Sequence, residues 1–192
     1  MKMLKENNSG QALIELALVI PILLTFVFGL IDYSRAMYDM EVITNLAGEG
    51  GSLASRGTSP ADTVTAVINA AGQGSGQDVN MSAAGCVIVT LVNNPNGSQN
   101  PVYDITDQAT GGGASGCGAS WSQIGQCTRV NGNCTGRTTA LPANIQTVLN
   151  ASMNTNIAIT EMFFNFRTIT PIGYFLHKSN WLPTQLYRVA YY

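Results

Sequence analysis

Glu15 lies inside the apolar run of residues 12–31, where a carboxylate needs a chemical explanation. About 20 apolar residues are enough to span a bilayer. A carboxylate at the centre of such a helix costs roughly 2.5 to 3.5 kcal/mol on insertion scales, and less near a helix end. Cleavage between Gly10 and Gln11 would create an α-amine one helical turn from Glu15. Two unit charges about 4 Å apart attract by roughly 4 kcal/mol at an effective dielectric constant of about 20, so this carboxylate is suited to docking against its own amine or that of a neighbouring subunit.

The N-terminal run has three interpretations that predict different proteins. A secretory signal peptide would end at the small-x-small tripeptide of residues 34–36, but this run exceeds the usual core of about 7 to 15 residues and contains Glu15 and Pro21. A plain signal anchor would keep the N-terminus in the cytoplasm because Lys2 and Lys5 precede the span. Cleavage after Gly10 is the interpretation that gives Glu15 a purpose.

Several N-terminal features occur together in an order that is similar to a known family. They are Gly10, Glu15, Pro21, the stretch IDYSRA with Asp32 and Arg35, and the stretch NLAGEG at 45–50. With them, residues 9–56 closely resemble the TadE-like family of minor pilins or pseudopilins of the tight-adherence pilus, a type IVc-like pilus. Leu16 stands where the major pilins of this system usually carry tyrosine, which favours a minor role.

The resemblance implies a structural and assembly function. A prepilin peptidase of the inner membrane would remove residues 1–10, with Gly10 and Gln11 flanking the cut and Glu15 docking subunits. The partners would be other pilins or pseudopilins, the pilus assembly platform and the inner membrane, with the N-terminus cytoplasmic and the bulk periplasmic or in the extracellular pilus. The alternative is a signal-anchored or secreted extracytoplasmic binding or adhesion domain without a pilus role.

Four cysteines lie in the part of the chain that would face outward, namely Cys86, Cys117, Cys127 and Cys134. An even number in an oxidising compartment predicts two disulfides, and three connectivities are possible. We favour Cys127 paired with Cys134 or Cys117, and the sequence does not choose between them. A zinc site is disfavoured because there is no C-x-x-C and His177 is the sole histidine.

Composition and motifs argue against nucleic-acid binding and catalysis. The formal net charge is −2 and 10% of residues are charged, whereas nucleic acid requires a clustered basic face. The stretch GGGASGCGAS lacks the G-K-[ST] ending of a phosphate loop. No nucleophile motif accompanies His177. We therefore expect no enzyme activity, no cofactor and no metal.

The elements that position these residues begin with one helix over residues 11–56. A heptad-like stripe follows the membrane run, formed by Leu30, Tyr33, Met37, Met40, Thr44, Ala47, Gly51 and Ala54. The stripe packs either on the protein's own head or on a partner pilin's helix. Glycines near position 50 are places where the helix can end or bend. Ser59, Pro60 and Asp62 predict the start of a second helix, and Gly72 predicts its end.

The remainder of the chain predicts an α+β head. Two β-branched runs around Asn96-Gly97 predict a hairpin. Residues 107–140 are interpreted as a long loop, 141–153 as a third helix, and 156–170 and 185–192 as strands. Together these elements give an α+β fold, with a long hydrophobic transmembrane helix leading into a disulfide-stapled head with antiparallel strands. The predicted divisions are a leader at 1–10, the helix at 11–56 and an extracytoplasmic domain at 57–192.

Overall fold

A computed structural model describes residues 9–73, 79–94, 102–130, 133–151, 155–178 and 184–192. Its helices are α1 (Ser9–Ser55), α2 (Pro60–Gln73), α3 (Met81–Ala84), α4 (Ala143–Ala151) and α5 (Pro171–Lys178). Its strands are β1 (Gly85–Asn93), β2 (Tyr103–Gly111), β3 (Thr128–Val130), β4 (Asn133–Thr138), β5 (Asn156–Asn165) and β6 (Gln185–Tyr191). The predicted α+β class, with a long apolar N-terminal helix and antiparallel strands, is confirmed.

The chain divides into two compact units, and each is described by itself. One combines Met1–Met37 with Arg167–Thr184, and the other combines Tyr38–Phe166 with Gln185–Tyr192. Helix α1 contributes to both. The predicted leader lies mostly outside the described residues, as does the Asn96-Gly97 turn.

Helix α1 continues through the glycines where we considered an end or a bend. Its last residue is Ser55, and Gly57 follows with a positive φ of 91°. A β-carbon on Gly51 would lie 2.2 Å from the Cδ2 atom of Tyr192. One on Gly50 would lie 3.0 Å from the Cγ2 atom of Val67. These glycines therefore permit close packing within the head unit.

The first half of the heptad-like stripe is mostly not packed on the protein's own described residues, and packing on a partner pilin's helix stays a prediction. Tyr33, Met37 and Thr44 are exposed. The buried positions there are Asp32, Ala36, Asp39, Ile43 and Leu46. Two carboxylates occupy the buried face, so hydrophobic periodicity does not identify the side of the helix that packs on the protein's own residues. Farther along, Ala47, Gly51 and Ala54 are buried as predicted.

Helix α2 begins as its sequence predicts. Ser59 Oγ accepts a hydrogen bond from the backbone N–H of Asp62 at 3.2 Å and donates one to the Asp62 carboxylate at 2.7 Å. Pro60 is the first helical residue, and the helix ends at Gln73, one residue after Gly72. This reciprocal capping satisfies a backbone donor that the first turn leaves unpaired.

The six strands form one sheet in the order β3-β4-β2-β1-β5-β6. The predicted β1–β2 hairpin is antiparallel, and β5 and β6 confirm the C-terminal strands. Residues 107–140 are not one long loop, since they contain the end of β2, a short 3₁₀ helix (Ala119–Trp121), β3 and β4. All three residues of β3 are exposed, so this edge strand lacks the alternating pattern that marks a half-buried strand.

Strands β1 and β5, which pair with each other, are covered on both faces. In β5 every residue from Ile157 to Phe164 is buried. Helix α2 packs against β1 and β2 on one side. On the other side, Trp121 of the 3₁₀ helix packs against a cluster that includes Ile88 and Phe163. The polar segment after β2 thus completes the core by covering the second face of the sheet.

Candidate functional site

The predicted processing and docking residues lie together in the first turns of α1. Gly10 is already helical, and Gln11 follows it on the same helix. The Nε2 atom of Gln11 donates a hydrogen bond to Oε1 of Glu15 at 3.2 Å. A helical side chain leans back over the preceding turn, which aims Glu15 towards residue 11. The structure therefore places Glu15 one turn from the predicted cut.

The helix around Glu15 presents an apolar surface without protein cover. Every residue from Gly10 to Val27 is exposed. Pro21 removes a backbone donor within this stretch, and the hydroxyl of Thr25 donates to the Pro21 carbonyl at 2.8 Å. Within the residues described, α1 is the one helix long and apolar enough to cross a membrane. These features are consistent with a single-pass anchor.

Asp32 lies directly after the apolar run and is fully buried. Its Oδ1 atom accepts a hydrogen bond from the backbone N–H of Ile169 at 3.0 Å, and its Oδ2 atom accepts one from the hydroxyl of Thr170. Thr170 Oγ1 in turn accepts a hydrogen bond from the N–H of Gly173 at 2.9 Å, which caps the start of α5. Asp32 therefore ties α5 to α1 within their shared unit.

The close approach at this tie requires a glycine. A β-carbon on Gly173 would lie 1.7 Å from Oδ2 of Asp32, well inside any real contact distance. Both oxygens of the carboxylate are occupied by donors, as expected for a buried acid that is retained in a fold. The stretch IDYSRA, which contributed to the resemblance, thus contains a residue with a structural role of its own.

Glu161 is a further buried carboxylate, in the middle of β5. It accepts hydrogen bonds from the Ser122 hydroxyl, from the Gln123 backbone N–H at 2.8 Å and from the Tyr187 hydroxyl at 3.0 Å. Burial raises the pKa of Glu161, although these three hydrogen bonds act in the opposite direction. Burial and the nearby carboxylate also raise the pKa values of Tyr187 and Tyr191. Glu161 holds the segment after the 3₁₀ helix over the sheet.

Replacing Glu161 with glutamine is expected to remove one component of the pH dependence of stability. The folded-state pKa lies above the ordinary value of 4.5, so the folded protein keeps a proton that the unfolded chain has lost. The stability contributed by this proton is complete below pH 4.5 and is lost as the pH rises through the raised pKa. Denaturant unfolding of the full chain in detergent, across an acidic-to-neutral pH series, measures this difference between wild type and Glu161→Gln.

The other titratable groups facing Glu161 are Tyr187 and Tyr191, which stay neutral in this pH range because their pKa values are raised. The matched control is Asp62→Asn, which neutralises an exposed acid of the same unit. A wild-type minus Glu161→Gln difference that does not change with pH would contradict the assignment of a raised pKa to Glu161.

The four cysteines form the two predicted disulfides. Cys86 pairs with Cys117, and Cys127 pairs with Cys134, which is one of the pairings we favoured. The first joins β1 to the segment after β2. The second links the residue before β3 to β4. Both lie in the unit that contains the sheet.

No group of three or more histidine, cysteine, aspartate or glutamate side chains suited to a metal ion occurs among the described residues. The side chain of His177 lies outside them. The structure therefore brings Gly10, Gln11 and Glu15 together on one helix, while the cysteines lie in the other unit. Sequence reasoning missed the buried role of Glu161, whose signal is a single acid within an otherwise apolar strand, TEMFF.

Neither the curated proteins nor the solved structures provide a similar chain. A family model described as TadE-like protein matches residues 10–52. The match covers Glu15 and the Asp32 region within α1. The predicted resemblance is thereby confirmed, because residues 10–52 of the N-terminal helix are similar to the TadE-like family.

Proposed function

We propose that this protein is a minor pilin or pseudopilin of a tight-adherence pilus. Helix α1 anchors it in the cytoplasmic membrane with the N-terminus inside and the head outside. A prepilin peptidase cleaves after Gly10, and Glu15 then docks the subunit against other pilins or the assembly platform. The TadE-like match over residues 10–52 supports the pilus association.

The observation that carries the proposal is the setting of Glu15. Its neighbours on the helix are exposed and apolar, including Leu13 at 67% and Leu16 at 55% exposure. The structure pairs Glu15 with the neutral amide of Gln11. A neutral amide does not cancel the charge of a carboxylate placed in a membrane, so an amine is the better partner. Cleavage after Gly10 supplies such an amine on residue 11 in every processed subunit.

The proposal assigns the protein no catalytic activity, cofactor or nucleic-acid partner. The competing function is an extracytoplasmic binding or adhesion domain, for which α1 is an anchor or a signal peptide. The three cases differ in the first residue of the mature protein. They also differ in whether Glu15 retains a role after insertion.

The deciding experiment is the N-terminal sequence or intact mass of the protein recovered from its native host. A chain that begins at Gln11 supports the pilin function. A chain that begins at Met1 contradicts it in favour of a plain anchor. A chain that begins at Met37 contradicts it in favour of a secreted domain.

Replacing Gly10 with leucine is expected to leave the leader uncut. A β-carbon at Gly10 meets no atom within 4 Å, so the substitution does not strain the described fold. Loss of cleavage would therefore report recognition by the peptidase. Gly29→Leu is the matched control, because a β-carbon at Gly29, on the same helix, also meets no atom within 4 Å. Immunoblotting in the presence of the peptidase measures the size shift, and normal processing of Gly10→Leu would count against cleavage at this bond.

A further inference from the structure

The hydrogen bonds of Asp32, here called the Asp32 tie, fix helix α5 at one position, or level, along the axis of α1. Asp32 accepts hydrogen bonds from Ile169 and Thr170, the two residues before α5. Gly173, in the first turn of α5, lies against the same carboxylate. Both elements belong to one compact unit. The position of α5 along α1 is therefore set by Asp32.

That level is the end of the predicted membrane span. The apolar run ends at residue 31, and Asp32 follows it directly. About 20 helical residues cover the roughly 30 Å of hydrocarbon in a bilayer. Exposure along α1 is unbroken up to Val27, and Phe28 and Gly29 are the first half-buried positions. Burial of α1 by other protein atoms therefore begins one helical turn before Asp32, within the apolar run.

The segment tied at this level exposes large apolar side chains. Ile169 is 62%, Tyr174 63% and Phe175 70% exposed. The two aromatic rings lie beside each other, with centroids 6.2 Å apart. Aromatic side chains with this exposure are unfavourable in water, and they are enriched where hydrocarbon meets lipid headgroups.

The charge of the segment suits an anionic lipid surface. Residues 167–184 contain Arg167, His177 and Lys178 but no aspartate or glutamate, although the whole chain has a net charge of −2. Arg167 precedes α5 and Lys178 is its last residue, and both are exposed. Short helices that combine basic residues with exposed aromatics lie in the plane of the membrane interface.

From these observations we infer that α5 is an interfacial membrane helix. Ile169, Tyr174 and Phe175 insert at the boundary between hydrocarbon and headgroups in the outer leaflet, while Arg167 and Lys178 contact anionic headgroups. Asp32 sets the depth by holding α5 where the membrane span of α1 ends. The inference rests on the proposed anchoring by α1 and is independent of pilus assembly.

The test measures depth with a nitroxide spin label on a single introduced cysteine. All four native cysteines are in disulfides, so the introduced thiol is the one labelled. The full chain is reconstituted in vesicles of phosphatidylethanolamine and phosphatidylglycerol. Accessibility of the label to oxygen, which concentrates in hydrocarbon, is compared with its accessibility to a water-soluble nickel chelate.

Three positions on α1 form a depth scale for a label at Tyr174. Leu18→Cys marks the hydrocarbon, Tyr33→Cys marks the interface and Ser55→Cys marks water; all three positions are exposed. The expected result is a Tyr174→Cys label that matches Tyr33→Cys, with high oxygen and reduced nickel accessibility. High nickel accessibility, as at Ser55→Cys, would overturn the inference. Low accessibility to both reagents would overturn it in favour of a protein partner.

The depth scale also separates this inference from the anchoring on which it rests. High nickel accessibility at Leu18→Cys would refute membrane anchoring by α1, whatever the label at Tyr174 reports. A Leu18→Cys label in hydrocarbon with a Tyr174→Cys label in water would refute the interfacial helix alone.

A second variant tests the tie itself. Asp32→Ala, combined with the Tyr174→Cys label, removes the acceptor for Ile169 and Thr170 and should raise nickel accessibility towards that of Ser55→Cys. Asp62→Ala removes an exposed capping acid elsewhere and should leave the Tyr174 label unchanged. Unchanged accessibility in Asp32→Ala would overturn the role of Asp32 in setting the depth.

Discussion

We expect a Glu15→Ala variant to be inserted in the membrane and to lose its leader, but not to be incorporated into pili or their assembly complex. Insertion is preserved because the substitution removes a charge from an apolar helix, which lowers the cost of membrane entry. Cleavage should be preserved because the proposed scissile bond lies four residues earlier, after Gly10. Docking is lost because the carboxylate that would pair with an amine is gone.

The expected loss follows from the electrostatic attraction. Two charges about 4 Å apart attract by roughly 4 kcal/mol at an effective dielectric constant of about 20. Since about 1.4 kcal/mol corresponds to a factor of ten, the association constant should fall on the order of a thousand-fold. Such a change should abolish detectable incorporation when pilus fractions are blotted for the protein.

Two further variants separate charge from shape. Glu15→Gln keeps the size of the side chain and removes its charge, so it should fail as Glu15→Ala does. Leu16→Ala truncates a neighbouring exposed residue and should be incorporated normally. Normal piliation with Glu15→Ala would eliminate the docking role of this carboxylate.

Removing the Cys86–Cys117 disulfide should destabilise the head more than removing Cys127–Cys134. The first pair is separated by 31 residues and the second by 7. In the chain-entropy description, a cross-link stabilises by restricting the unfolded chain, by about 3 to 4 kcal/mol for the longer loop and about 2.5 kcal/mol for the shorter. Cys86 is also fully buried in the cluster that contains Phe163 and Ala114.

The comparison uses paired alanine variants of the full chain in detergent, Cys86→Ala/Cys117→Ala and Cys127→Ala/Cys134→Ala. The first should lower the melting temperature by roughly 7 to 15 °C, and the second by a smaller amount. Circular dichroism in the β-sheet region measures both. Equal shifts, or a larger one for Cys127→Ala/Cys134→Ala, would contradict the dependence on loop length.

The sequence correctly predicts those helices and strands whose local residue pattern matches their environment in the folded protein. Ser59, Pro60 and Asp62 place the start of α2 because the cap is made by neighbouring residues. The apolar β-branched residues of β1 identify a strand because β1 is buried on both faces. The short strands β3 and β4 escape prediction because they lie at the edge of the sheet with mostly exposed polar side chains.

The residues of the candidate site also differ in whether the local sequence predicts their roles. Glu15 can be identified from the sequence because the apolar residues next to it in the chain are also its neighbours on the helix. The partners of Glu161 lie at Ser122, Gln123 and Tyr187, and only the folded sheet brings them together. The partners of Asp32 lie at Ile169 and Thr170, more than half the chain away, and no local pattern indicates them.

The order of the strands in the sheet affects how the head folds as the chain emerges. Strand β1 pairs with β2, which follows it directly, and with β5, which is made much later, since Asn93 pairs with Asn156. If the head crosses the membrane from its N-terminal end, as the proposed topology requires, one edge of β1 stays open until β5 emerges. An open apolar edge can pair with other chains, and such long-range pairings form slowly. On the proposed topology, the risk of aggregation is therefore raised between the emergence of β2 and that of β5.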